Sequence, residues 1–289
     1  MADALFLRQD RGGLEDHGLR GLHAAPARCA GVRSNEVGFR FSANTGFLFK
    51  DRPFLERITA AKAAGFDALE FHDEAQSADP SALADALTAA ALPVLGINVR
   101  MGDTSGCAAI PGAADQARRD IDAAAAVASR IGATAIHVVA GKTDDVGADA
   151  AYRAALDYAL GATDLIILIE PISKIAIPGY FLNGMDQART IIEEIDHPRL
   201  KILFDCYHAA ALTDGDILSA FASVAPWVGH VQIAAYPGRD EPRVGAAASP
   251  DFARLLPALA AGGYPGPFGC EYRPAGDIAA CVADLRTIA

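Results

Sequence analysis

LIILIE at 165–170, LKILFD at 200–205, VGHVQ at 228–232 and FGCE at 268–271 are four short apolar runs, and each ends on one polar, metal-competent side chain. The four end residues are Glu170, Asp205, Gln232 and Glu271. Each run is aliphatic or β-branched and precedes, after a loop, a stretch whose apolar residues recur at helical spacing. A strand buried on both faces has room for a carboxylate only at its mouth, because an unpaired buried charge is costly. Four such residues on four successive strand–helix units predict one site, built by a parallel barrel around a divalent cation.

The same unit recurs upstream. FRFSAN (39–44), DALEF (67–71), VLGINV (94–99) and AIHVVA (135–140) read as strands. Helices are expected at about 53–64, 80–91, 113–131 and 148–160, then near 185–195, 216–225, 250–261 and 277–288. That makes eight strand–helix units in about 250 residues, the length of a (β/α)8 barrel. A doubly wound open sheet is the alternative, but no glycine-rich phosphate loop follows the first strand. The expected fold class is therefore α/β, a single (β/α)8 TIM barrel over 38–289. Residues 1–37, rich in arginine and glycine and without a period, read as a loosely ordered N-terminal extension.

Bulk composition narrows the function. With 52 % hydrophobic and 21 % charged residues, the 289-residue chain can build a large core. A net charge of −11 opposes a nucleic-acid partner, which needs a basic footprint. The five cysteines are widely spaced with no CxxC, so neither a disulfide framework nor a thiolate zinc site is indicated. Cys206 and Cys270 adjoin proposed ligands, but strand alternation turns them to the opposite face, as packing thiols. No apolar run reaches the roughly 18–20 residues of a membrane span, and the N-terminal stretch lacks the apolar segment of a secretory signal. A cytoplasmic protein with a small-molecule substrate is expected, with neither nucleic acid nor membrane as partner. Homo-oligomers are compatible with such barrels by analogy.

Barrels of this kind carry their sites at the C-terminal strand ends. Those ends read Asn44, Glu70, Asn98, His137, Glu170, Asp205, Gln232 and Glu271. Three carboxylates at one mouth repel one another unless a cation intervenes, and oxygen donors suit Mg2+ or Mn2+. Gln232 adds a neutral carbonyl. Salt bridges of the carboxylates to Lys174, Lys201 or Arg273 are the alternative use. His208, three residues after Asp205 on the loop expected there, is placed to hydrogen-bond a substrate oxygen or orient a ligand. His230, two before Gln232, shares its face but lies deeper, as support. Arg239 in PGRDEP is read as an anion clamp over the mouth or as an exposed partner of Asp240 or Glu241. Lys174, His137 and Glu70 complete the candidate substrate contacts.

At these residues the chain resembles the hydroxypyruvate isomerase family of the xylose isomerase-like barrels. The resemblance is carried by FSANTGFLF, PFLERITAAKAAGFDALEF, IHVVAGK, LIEPISKIAIPGYFLN, HPRLKILFDCYH, GHVQIAAYPGRDEP and GYPGPFGCEYRP, between residues 41 and 274. It implies metal ligation by Glu170, Asp205, Gln232 and Glu271, with Glu170 and Glu271 as the acid–base pair. Three substrate-facing stretches depart from the family pattern. Ala176 stands where an acid is usual, RVGAAAS (243–249) carries no glutamate, and GDTSGCAAIPG (102–112) keeps only the first two residues of its motif.

The expected activity is a metal-dependent isomerisation of a small hydroxy-carbonyl compound through an enediolate, on a hydroxypyruvate-like substrate or short sugar acid. A ketose epimerase or polyol dehydratase on the same site is the alternative within the fold. A non-catalytic ligand-binding barrel is the alternative of another class.

Overall fold

The structure, a computed structural model, describes residues 38–245 and 249–288; the extension expected at 1–37 lies outside them. Eight parallel strands close into a barrel in sequence order: β1 (Phe41–Asn44), β2 (Ala68–Phe71), β3 (Val94–Asn98), β4 (Ala135–His137), β5 (Ile166–Ile169), β6 (Leu200–Asp205), β7 (Val228–Ile233) and β8 (Phe268–Cys270). Closure is made by β1 on β8, with Ser42 opposite Gly269. Helices α1 (Phe54–Ala63), α2 (Pro80–Ala90), α3 (Ala114–Ile131), α4 (Ala148–Ala162) and α5 (Met185–Ile195) follow the first five strands. Helices α6 (Cys206–Leu212) and α7 (Ile217–Val224) both follow β6, and α8 (Phe252–Ala261) and α9 (Ile278–Leu285) follow β7 and β8.

Helix α6 corrects the loop expected after β6. Asp205 ends the strand and at once caps the helix, its Oδ1 accepting from the Tyr207 amide at 2.7 Å. With an N-cap acid and the Ala-rich run that follows, the chain turns straight from strand into helix. Aspartates also cap α2 (Asp79), α7 (Asp216), α8 (Asp251) and α9 (Asp277). A 3-10 turn at Ala225–Trp227 delivers the chain into β7.

Strand alternation divides the core in two. Outward residues such as Phe41, Leu69, Ile97, Ile136, Ile169, Phe204, Val231 and Cys270 are buried beneath the helices in the main apolar cluster. Cys270 is thus turned from Glu271, as expected. Inside the barrel, Ala135, Leu168 and Leu203 form a separate small apolar cluster on β4 to β6. Polar residues and glycines take further inward positions, at Ser42, Glu70, Gly96, His230 and Gly269. A cavity of about 190 Å3 runs through this interior, from Asn44, Asn98, His137 and Gln232 down to Tyr264 and Pro267. Parallel strands tolerate this polarity because the interior groups bond one another.

Candidate active site

One further step of alternation past the interior layer reaches the mouth. Asn44, Asn98, His137, Glu170, Asp205, Gln232 and Glu271 all lie there, and all but the half-buried Asn98 are at most 7 % exposed. Glu170, Asp205 and His208 each offer one donor atom within 4.8 Å of the others. His208 Nε2 lies 3.6 Å from Glu170 Oε1 and 3.6 Å from Asp205 Oδ2. The helical start of α6 explains this, since it sets His208 one turn beyond Asp205 rather than on a loop. The Ser173 amide donates to His208 Nδ1 at 3.4 Å, so neutral His208 carries its proton on Nε2 and presents a donor to the site.

Arg239 takes the first of the two places that the sequence allowed it, inside the mouth. It does not sit over solvent with Asp240 or Glu241. It is 8 % exposed, and its Nη2 bonds Asp205 Oδ2 at 3.1 Å and Glu271 Oε2. The Phe47 and Tyr207 rings lie 4.5 and 5.0 Å from its guanidinium, a geometry for cation–π attraction. The cause is local backbone. Arg239 takes φ 56°, a left-handed conformation rare outside glycine, and its carbonyl accepts from the Arg273 amide at 2.7 Å. Asp240 pairs instead with Arg243 at 3.2 Å, and Glu241 accepts from the Ala275 and Gly276 amides.

Glu271 is held on both oxygens. Asn44 Nδ2 donates to Oε1 at 2.9 Å, and His72 Nε2 lies 3.2 Å from the same oxygen. His72 is absent from the residues expected at the site, although the sequence carries a signal for it: it lies two residues past Glu70, hence on the same face and nearer the mouth. Gly46 makes room for it, because a Cβ there would overlap the imidazole ring.

Glu70 itself sits deeper. It accepts from Ser42 Oγ and from Gln232 Nε2, the latter at 2.7 Å, and His230 Nε2 lies 3.0 Å from its Oε1. Tyr264 OH is 3.2 Å from the other nitrogen of His230, which therefore lies below the mouth between Tyr264 and Glu70. His137 Nδ1 bonds Asn98 Oδ1 at 3.2 Å and lies 3.8 Å from Glu170 Oε2. Lys174 is exposed on the turn after β5, apart from this cluster.

Electrostatics follow from burial and from the charges gathered there. Burial, then Glu271 and Asp205, push the Glu170 carboxyl well above the carboxylate range. Asp205 is raised to about 6, by burial against the opposing pull of Arg239. For Glu271 burial acts upward too, but Arg239 and His72 outweigh it and hold the group at about 2. Burial lowers both His137 and His208 to about 3, so both are neutral at physiological pH.

Glu170, Asp205 and His208 fit a divalent cation, whereas Glu271, expected as a ligand, is not among the donors gathered within 4.8 Å and is held by Arg239 instead. Glu170 Oε1 and Gln232 Oε1 are buried without a hydrogen-bond partner, and the donor set is mainly oxygen. An unpartnered buried oxygen is expensive unless something positive meets it. Arg239 neutralises the Asp205–Glu271 side of the mouth. Among the described residues, Glu170 has only the neutral His137 and His208 within ion-pair distance.

Comparison with known proteins agrees with this architecture. The pattern of the family described as xylose isomerase-like TIM barrel matches residues 58–286. The chain is 37 % identical over 246 residues to 2-oxo-tetronate isomerase of Cupriavidus necator, covering 81 % of this chain and 93 % of that protein. It is 33 % identical over 246 residues to hydroxypyruvate isomerase of Escherichia coli, again covering 81 % and 93 %. Among solved structures, the family 2 AP endonuclease from Brucella melitensis superposes with a TM-score of 0.78 at 29 % identity, over 85 % of this chain and 97 % of that one. Among the described residues no helix is long and apolar enough to cross a membrane. The protein is an isomerase, and the chain belongs to the xylose isomerase-like TIM barrel family.

Proposed function

We propose that the protein isomerises a small hydroxy-keto acid, interconverting a 2-oxo-3-hydroxy acid and the corresponding 2-hydroxy-3-oxo compound by proton transfer between adjacent carbons. The reading is carried by two glutamates that end β5 and β8 at one buried mouth, Glu170 beside His137 and His208 and Glu271 held by Arg239, Asn44 and His72. Glu271 is held charged by Arg239 and His72, while Glu170 is driven toward its protonated form by burial and by its carboxylate neighbours. Two carboxyl groups whose surroundings separate their proton affinities are what an acid–base pair requires. The names of the two relatives, isomerases of hydroxypyruvate and of 2-oxo-tetronate, support the substrate class.

In this reading one glutamate removes the proton from the carbon bearing the hydroxyl, leaving an enediolate, and the other returns a proton to the neighbouring carbon. His208, with its proton on Nε2, donates to a substrate oxygen and keeps that oxygen in place. Arg239 holds the substrate carboxylate. Phe47 and Tyr207, which flank Arg239, keep water from the reacting carbons. Glu170, Asp205, Gln232 and Glu271 would hold the divalent cation, Mg2+ or Mn2+, which supplies positive charge where negative charge grows on the substrate oxygens.

The test is solvent exchange. Purified protein with Mn2+, offered hydroxypyruvate or 2-oxo-tetronate in D2O, should place deuterium at the two carbons between which the carbonyl moves, C3 of the 2-oxo acid and C2 of its isomer. Turnover without deuterium incorporation, or exchange that survives in Glu271→Gln, contradicts the scheme.

A further inference from the structure

We propose that Glu70 is a positioning residue: it fixes the side-chain amide of Gln232 in the one orientation that leaves its oxygen free as a cation ligand. The proposal rests on the metal-dependent reading above and assigns to Glu70 a role other than the substrate contact expected from sequence.

A glutamine side chain has two faces of opposite polarity, an acceptor oxygen and a donor NH2, and rotation by half a turn exchanges them. As a cation ligand only the oxygen serves. Something must therefore forbid the exchanged orientation. A carboxylate is acceptor-only, so Glu70 Oε2, 2.7 Å from Gln232 Nε2, accepts the NH2 group and would repel the oxygen. With its nitrogen committed, the Gln232 oxygen projects away from Glu70 and is buried without a partner. Asp205 and Gln232 are paired in register on neighbouring strands, so Gln232 stands beside a second proposed ligand.

Glu70 is itself immobilised, which a positioning role requires. Ser42 donates to its Oε1, and His230 lies 3.0 Å from the same oxygen, with its far nitrogen 3.2 Å from Tyr264 OH. The arrangement also accounts for glycine at 269. A Cβ there would run into Glu70 Oε1, His230 Nε2 and Gln232 Cγ together. Four strands thus contribute to holding one amide: β1 through Ser42, β2 through Glu70, β7 through His230 and β8 by the side chain it lacks.

The decisive experiment exchanges the pair. Mn2+ dissociation constants are measured on the full chain, freed of metal, by electron paramagnetic resonance of free Mn2+. The proteins compared are the wild type, Glu70→Gln, and Glu70→Gln combined with Gln232→Glu. An amide at position 70 can present either polarity, so the single variant should bind Mn2+ roughly 10- to 100-fold more weakly at an unchanged melting temperature. In the double variant the total charge is restored, and a carboxylate at 232 offers oxygen in either orientation. Its affinity should return to within about threefold of wild type or exceed it, on the scale set by outer-shell effects. A single variant that binds like wild type, or a double variant no better than the single, overturns the proposal.

Should Glu70→Gln fail to fold, the wild type decides alone. The side-chain 15N–1H pair of Gln232, assigned by its loss in Gln232→Glu, should be protected from solvent exchange with and without Mg2+. Rapid exchange in both states overturns the proposal. Failure of the underlying reading looks different: wild-type protein would bind neither Mn2+ nor Mg2+, and that result overturns the metal-dependent reading and this proposal together.

Discussion

Arg239 and Asp205 form a 3.1 Å ion pair inside the mouth of the barrel, and the same guanidinium nitrogen reaches Glu271. A residue from the loop after β7 therefore supplies counter-charge to the ends of β6 and β8. Truncating one partner of such a buried network leaves uncompensated charge, which costs about 3–5 kcal/mol. Arg239→Met should lose stability of that order in urea denaturation of metal-free protein. Mn2+ should then raise its melting temperature by more than it raises that of wild type, since the cation would meet carboxylates left without their arginine. Unchanged stability of the metal-free variant would contradict the bridging role.

The two glutamates should be indispensable for chemistry, and Glu271→Gln should in addition weaken the pairing with Arg239. Glu271→Gln and Glu170→Gln keep volume and hydrogen-bonding capacity while removing proton transfer. Each is expected to slow isomerisation by about 100-fold or more, the usual scale of a general acid or base. Coupled turnover assays together with circular dichroism melts separate lost chemistry from lost structure.

Metal removal gives a third expectation. A ligand that binds only the folded state at about 100 times its dissociation constant stabilises it by about 2.7 kcal/mol. Thermal unfolding with Mg2+ or Mn2+, before and after EDTA, should differ accordingly. Affinity should also weaken as pH falls through about 6, because Asp205 takes up a proton there in the metal-free protein and protons compete with the cation. An affinity flat from pH 7 to 5 would count against Asp205 as a ligand.

His137 makes the metal-free protein sensitive to acid. Burial lowers its pKa from an ordinary 6.5 to about 3. Between those values the unfolded chain binds a proton that the folded chain refuses, so stability rises with pH across that window. The contribution is complete above about 6.5 and is lost as pH falls toward 3. Asp205, raised from 3.8 to about 6, acts with the opposite sign, its contribution being lost as pH rises through about 6. Comparing His137→Asn with wild type isolates the histidine: the variant should show a shallower loss of stability between pH 6 and 4.

The strand ends are legible because their signal is local. LIILIE, LKILFD and FGCE each announce a buried strand and the acid that terminates it within six residues or fewer. Alternation of period two then assigns Ser42, Glu70 and His230 to the barrel interior and Gln232 to the mouth. The same rule, applied once more after Glu70, reaches His72. In DCYHAAAL the strand-end acid and the helix cap are one residue, and a reading that gives Asp205 a single role puts His208 on a loop.

Local pattern alone decided that eight units close around a polar mouth, and which residue types stand there. Tertiary structure decided which group answers which. Arg239 meets Asp205 across 34 residues of chain, Gln232 meets Glu70 across 162, and Glu271 meets His72 across 199. Hydrophobic period is written in neighbours a few positions apart, whereas charge compensation depends on through-space distance. For Gln232 with Glu70 and for Glu271 with His72, closure of β1 against β8 is what brings the groups within hydrogen-bond reach.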